Sequence, residues 1–227
     1  MNAQGKRSGE TAREYAYRMI REQVISLELK PGEAFNDMEF AAKIGVSRTP
    51  VREAVIQLSE ESRIIEIFPQ RGMRIAPIDV ELVEEARSLR VLLEKQIAGM
   101  CCEMATEEDI KWLQENVGLQ EFYMENSRPE MVMQLDDEMH HKLFMICHRE
   151  LTYGMCQKLA IHYDRIRSLS VNTVKDNTII EDHRKIIQFI AEHKKENAMA
   201  QMEKHLSRWQ LNEEKFTFDV KLVLHNR

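Results

Sequence analysis

Apolar residues recur at steps of three and four along most of the chain and alternate in only one short stretch. Tyr17, Ile20, Val24 and Leu27 carry the helical period through a first segment, 10–29. Lys30-Pro31-Gly32 closes it, because proline cannot continue a helix and glycine relaxes the turn. Asn36 or Asp37 offers an N-cap for a short helix over 37–44, which Gly45 breaks. Ser47 is placed to cap the next helix, 48–60, whose first turn tolerates Pro50. Ile64 to Phe68 and Met73 to Ala76 then flank the turn Pro69-Gln70-Arg71-Gly72 and predict a hairpin.

Pro77-Ile78-Asp79 reads as a joint. Beyond it the pattern predicts helices over 79–104, 107–125, 129–148, 151–172, 177–194 and 196–216, and then a last strand or packed extension from Phe218. The expected fold is mainly α. An N-terminal winged helix-turn-helix with a small β-hairpin wing spans 1–78, and a C-terminal all-α bundle of six to seven helices spans 79–227.

Composition agrees with long helices: 227 residues contain 43% hydrophobic side chains but only 8 Gly and 5 Pro. The polar opening MNAQGKRSGE carries no secretory h-region, and no apolar run is long enough to cross a membrane. Cys101, Cys102, Cys147 and Cys156 form no C-x-x-C pair and read as buried free thiols in a cytoplasmic protein. Charge is unevenly divided. Residues 1–78 hold 12 Lys and Arg against 11 Asp and Glu, whereas 79–227 hold 20 against 27, for a total of −6. A near-neutral front with basic clusters and an acidic rear implies two domains with different partners.

The basic cluster is the stretch GVSRTPVREAV, residues 45–55. Ala41, Gly45 and Val51 have helix-turn-helix spacing: a small residue where helices approach, glycine in the turn, and an aliphatic lock in the second helix. The second helix opens with Ser47, Arg48 and Thr49 and carries Arg52 one turn on. Its N-terminal end is the part that enters a DNA major groove. Arginine reads guanine through two hydrogen bonds, while hydroxyls and a helix N-terminus hold phosphate. Arg71 and Gly72, at the tip of the wing, are placed for the backbone or minor groove. An ordinary helical pair with a solvated basic face is the alternative. The ordered series of helix, helix-turn-helix and hairpin, with arginines at both contact points, favours DNA.

LKPGEAFNDMEFAAKIGVSRTPVREAVIQL followed by PQRG resembles the winged helix of GntR-type bacterial transcription regulators. The resemblance covers the first third of the chain and implies DNA contacts from Ser47, Arg48, Thr49, Arg52 and Gly72. Met38 stands where that family often has arginine, which would alter operator preference.

Helical phase singles out four polar groups in the acidic part. In 131–147, Val132, Leu135, Met139, Leu143 and Ile146 set an apolar face. At about 100° per residue Asp136 and His140 fall on its margin, with Asp137 and His141 on the wet side. In 177–193 the isoleucines Ile179, Ile180, Ile186, Ile187 and Ile190 surround His183, which therefore needs a partner. In 196–211 Ala198, Met202, Leu206 and Trp209 form a stripe with His205 at its edge. Taken singly, each histidine is an ordinary core or surface residue, as His141, His148, His162 and His193 are read. Together Asp136, His140, His183 and His205 suit a divalent transition metal: zinc, nickel, manganese or iron.

The succession ARSLRVLLEKQIA, DDEMH, EDHRKIIQFI and MEKHL resembles the all-helical effector domain, FCD, of the FadR branch of that family. The resemblance implies a metal on Asp136, His140, His183 and His205, beneath a pocket for a small organic acid. It also implies Arg90 as a carboxylate-binding arginine, with Arg165 in YDRIRSL as a second candidate; a surface ion pair is the alternative for each. Met139 replaces the usual aromatic before the histidine, and His148-Arg149-Glu150 stands where an asparagine is common. The expected protein is a cytoplasmic homodimeric regulator, most simply a repressor, that binds a palindromic double-stranded DNA operator and is not an enzyme. Alternatives are a metal-only regulator, a fatty-acyl-responsive one, and a metal-dependent hydrolase. The charged quartet disfavours the acyl ligand, and the absence of a general base beside it disfavours the hydrolase.

Overall fold

The computed structural model describes residues 5–173, 178–208 and 224–225. The chain divides into two compact units, 1–80 with 217–227, and 81–216.

In the first unit α1 (Ala12–Ile25) starts at a capping box in which Thr11 and Glu14 satisfy each other's backbone N–H groups. It is shorter than the predicted 10–29, because Ser26 caps it and Leu27 turns left-handed at φ 63°. Its buried face is Ala16, Met19, Ile20 and Val24, while Tyr17 sits at the margin and donates its hydroxyl to Glu61 (2.9 Å). β1 (Ala34–Phe35) leads into α2 (Asp37–Ile44), which Asn36 caps by accepting from the N–H groups of Met38 and Glu39. α3 (Arg48–Ser62) follows after Gly45, whose φ of 73° is the left-handed turn between the two helices. α1 and α2 pack on α3 through buried Ala41, Val51, Ala54, Val55 and Leu58.

The predicted hairpin is β2 (Ile65–Phe68) and β3 (Gly72–Ile75), paired antiparallel from Ile65↔Ile75 to Phe68↔Gly72. Pattern analysis did not predict β1, which adds to β3 and gives the order β1-β3-β2. Two residues are too few to display alternation. β4 (Ile78–Asp79) pairs in parallel with β5 (Leu224–His225) through Ile78↔Leu224. The remainder of the expected extension from Phe218, like Trp209 and the end of the helix predicted to 216, lies outside the described residues.

The second unit contains α4 (Val80–Met104), α5 (Glu107–Glu125), α6 (Pro129–Ile146), α7 (Glu150–Leu159), α8 (Ile161–Thr173), α9 (Thr178–Ala191) and α10 (Lys195–Leu206). The helix predicted over 151–172 is thus two helices. The ladder barely breaks: Ala160 N–H donates to Cys156 O (3.0 Å) and Asp164 N–H to Ala160 O (2.8 Å), so the junction is a bend and no turn residues announce it. α5 packs on α6 and α9, and α9 on α10. Ile97, Val117, Leu143, Phe144, Ile186 and Met202 belong to the buried apolar cluster between them. All four cysteines are buried free thiols.

Gly45→Ala should cost about 1–2 kcal/mol, because a Cβ is strained in the left-handed region. Urea unfolding followed by circular dichroism measures it; an unshifted midpoint would contradict the assigned turn.

A winged helix and a candidate metal centre

Ser47, Arg48, Thr49 and Arg52 are all exposed on the opening turns of α3, and Arg71 and Gly72 are exposed at the wing tip. Ser47 holds the N-cap position with extended backbone, yet its side chain makes no capping hydrogen bond, contrary to its expected capping role. Arg48 donates from Nε to buried Asp37 (2.9 Å), which steadies its guanidinium at the protein surface. Gln70 and Gly72 take positive φ, 62° and 99°, which closes the three-residue loop between Phe68 and Gly72. Met38, at the variant position of the motif, is exposed on the first turn of α2.

In the helical unit Asp136, His140, His183 and His205 come together, with one donor atom of each lying within 4.8 Å of all the others. α6 supplies the first two at i and i+4, α9 supplies His183 and α10 supplies His205. His205 Nε2 is 3.3 Å from both His183 Nε2 and His140 Nε2. Asp136 Oδ1 is 3.2 Å from His183 Nε2, and Asp136 Oδ2 is 3.9 Å from His140 Nε2. Nitrogen donors at zinc-like bond lengths in a tetrahedron stand about 3.3 Å apart, so the spacing suits one shared ion.

A second ring of polar groups orients the donors. Gln120 Nε2 donates to Asn116 Oδ1 (2.8 Å), so its carbonyl oxygen faces His183 Nδ1, also at 2.8 Å. His183 must therefore carry its proton on Nδ1 and present a lone pair at Nε2. Glu94 Oε2 lies 2.5 Å from His140 Nδ1, off the line of an ideal hydrogen bond, and its charge favours a proton there too. Asp182 stands behind His205, its Oδ2 4.0 Å from Nδ1. Arg167 holds Asp136. Each acid behind a histidine has its own arginine: Arg90 Nε donates to Glu94 (2.5 Å), and Arg208 Nη2 to Asp182 (2.8 Å).

These surroundings set the protonation states. Burial pushes His183 down to about 4 despite the opposing Asp136 charge, and burial drives His205 well below the usual imidazole range. Both are neutral near pH 7. Burial works against ionising Asp136, but the Arg167 guanidinium opposes it and the carboxyl is held well below the usual range. Glu94 behaves likewise, with burial overcome by Arg90 and His140. Two imidazole lone pairs and a carboxylate oxygen thus converge in a buried space. One N–H on His205 Nε2 could satisfy only one of them, and a cation would satisfy all. The residues fit a borderline divalent ion.

The other sequence candidates are placed as follows. Arg90 is buried against Glu94 and lies 5.2 Å over the Tyr163 ring. Arg165 is fully buried on α8, and burial lowers its pKa to about 9. Asp137 and His141 are half-buried, not wet. Asp137 Oδ1 accepts from Arg167 (2.8 Å) and His141 stacks on Tyr153, because α7 and α8 cover that side of α6. Glu94, Gln120, Asp182, Arg167 and Arg208 were not singled out from the sequence. Only the adjacency of Asp182 to His183 could have pointed to one of them.

A winged helix-turn-helix joined to an all-helical bundle defines a class of DNA-binding transcription regulators. Residues 12–75 match the bacterial regulatory proteins of the gntR family, and residues 85–208 match the FCD domain. The chain belongs to the GntR family and carries an FCD domain; it is a DNA-binding transcriptional regulator. It is 30% identical over 158 residues to the HTH-type transcriptional repressor RspR of Escherichia coli strain K12, covering 70% of this chain and 69% of that one. It is 29% identical over 204 residues to an HTH-type transcriptional regulator in an unstable DNA locus of Streptomyces ambofaciens, covering 88% and 84%. The solved structure of E. coli McbR/YncC has the same fold, with a TM-score of 0.76 at 17% identity over 91% of this chain and 99% of that one.

Gln120→Leu should destabilise the helical unit by about 1–3 kcal/mol, because it strands the buried His183 N–H. Calorimetry of the full chain measures this. An unchanged melting profile would show that Gln120 does not hold that proton.

Proposed function

We propose that the protein is a homodimeric cytoplasmic repressor whose helical domain, 79–227, binds one divalent transition metal and a small organic acid, and whose winged domain, 1–78, reads a palindromic operator. The convergence of Asp136, His140, His183 and His205 carries the reading: four donors from three helices, within 4.8 Å, each backed by a polar group. Zinc, nickel, manganese or iron suits three imidazoles and a carboxylate. Once bound, the ion supplies a Lewis-acidic centre for a carboxylate or hydroxyl oxygen. Similarity to a repressor supports the sign of regulation. Leu151, Met155 and Leu159, exposed at steps of four on α7, support pairing with a second copy. No helix among the described residues is long and apolar enough to cross a membrane, which agrees with a cytoplasmic site of action.

Ligand must bind two dimer geometries with different affinity for the operator to be released. The charged centre is a poor floor for a fatty-acyl chain. One observation favours a second reading, a metal-responsive regulator with no organic effector: Arg90, the expected carboxylate partner, is already closed on Glu94. In that case metal alone would change operator affinity.

Elemental mass spectrometry of the purified protein should find about one transition metal per chain, lost in the Asp136→Ala/His183→Ala variant. No metal, even after reloading, would reduce His183 to a hydrogen-bonded core histidine. At the other end of the chain, Arg48→Ala and Arg52→Ala should each weaken operator binding by about 1–3 kcal/mol if they read bases. Unchanged affinity in gel shifts would reject that role.

A further inference from the structure

Arg167, which neither helical phase nor motif singled out, holds three carboxylates. Its side chain is 12% exposed on α8. Nη1 donates to Asp164 Oδ1 (2.8 Å), three residues earlier on the same helix. Nη2 donates to Asp137 Oδ1 (2.8 Å) and to Asp136 Oδ2, neighbours on α6. One edge of the guanidinium is therefore fixed by its own helix while the other bridges adjacent aspartates on the next.

Asp136 uses its two oxygens differently. Oδ2 faces Arg167, and Oδ1 lies 3.2 Å from His183 Nε2, inside the donor cluster. A carboxylate with both oxygens unrestrained can rotate, chelate or turn away; one whose Oδ2 is held presents a single donor in one direction. A planar guanidinium anchored at Nη1 sets that direction, whereas an ammonium is a point charge on a flexible stem. We infer that Arg167 is the positioning residue of the metal centre: it fixes Asp136 so that Oδ1 alone faces the ion, and it makes α8 part of the site. The inference rests on the metal reading of the quartet.

The test is cobalt(II) titration of the full chain, followed by d–d absorption and by competition with a chelator of known affinity. Wild type should bind one cobalt per chain. Arg167→Gln should weaken binding about 10–100-fold and change the absorption as the carboxylate ligand is lost. Arg167→Lys should recover part of the affinity but not the wild-type spectrum. Asp164→Ala, which leaves Arg167 in place but removes the acceptor that pins Nη1, should shift both readouts the same way by less. Circular dichroism of the metal-free proteins separates these effects from loss of fold. Should Arg167→Gln fail to fold, the Lys and Asp164 variants decide: wild-type spectra in both would overturn the inference. Cobalt binding by a folded Arg167→Gln with wild-type affinity and spectrum would overturn it as well, leaving the metal reading intact. Failure of wild type to bind cobalt or any reloaded divalent ion would remove the metal reading, and the positioning role with it.

Discussion

Burying electron-rich atoms together is costly unless something positive answers them, and that constraint organises the helical unit. The quartet places three ring nitrogens and a carboxylate within 4.8 Å in a bundle otherwise filled with Ile, Leu, Val, Phe and Met. Groups on every surrounding helix are arranged around it. Glu94 comes from α4, Gln120 from α5, Asp164 and Arg167 from α8, and Asp182 from α9; from α7 the Tyr153 hydroxyl donates to the Asp137 carbonyl (3.2 Å). Gln120 holds His183 and Arg167 holds Asp136 from behind, so those two donors point inward, while Glu94 and Asp182 stand behind His140 and His205. The same rigidity makes the polar centre specific: a single rotated imidazole would leave a buried acceptor unmatched.

Formal charge gives a second view of the same constraint. Glu94, Asp136, Asp137, Asp164 and Asp182 contribute five negative charges to the groups joined to the quartet by contacts among the described residues. Arg90, Arg167 and Arg208 contribute three positive ones. Counted formally, acids outnumber arginines among these groups, so a cation in the quartet would offset negative charge. Each arginine sits on an acid instead of lining an open anion site, so the arginines serve the metal donors first. On the reading proposed above, a carboxylate effector would meet a bound ion more readily than it would meet Arg90.

How much of this was legible depended on whether a signal was local. Helical phase put Asp136 and His140 on the inward margin of α6 and put His183 amid isoleucines, and the structure brings those side chains together. The wording around Gly45 to Arg52 fixed the helix-turn-helix because left-handed Gly45 and buried Val51 leave few residue choices at those positions. The second ring was not legible. Gln120 and Glu94 lie on helices whose polar residues are mostly solvated, and nothing in sequence spacing tells an inward glutamine from an outward one. Arg165 and Arg167 differ by two residues and so point to nearly opposite sides of α8, but without knowing which face meets α6 the choice between them is open. β1 and β4 are two residues each and exist only through their partners, as does the bend at Ala160.

The two parts of the chain handle charge in opposite ways, and this follows from what each must face. On the winged helix Arg52 and Arg71 are exposed, and Arg48 is steadied by one buried acid, Asp37, through Nε alone. Charge left at the surface can answer phosphate or a base edge at little desolvation cost. In the bundle every arginine tied to the quartet is locked to at least one carboxylate, because an unpaired guanidinium there would be prohibitive. On the proposed metal reading, an ion in the quartet would draw charge from Asp136 and, through Oδ2, weaken its hold on Arg167. The same guanidinium also grips Asp137 and Asp164, so α6 and α8 must readjust together. If the proposed metal binds, its occupancy would therefore reach α8, which carries none of the four donors, and that is the minimum a regulator needs before a signal in its core can be felt elsewhere.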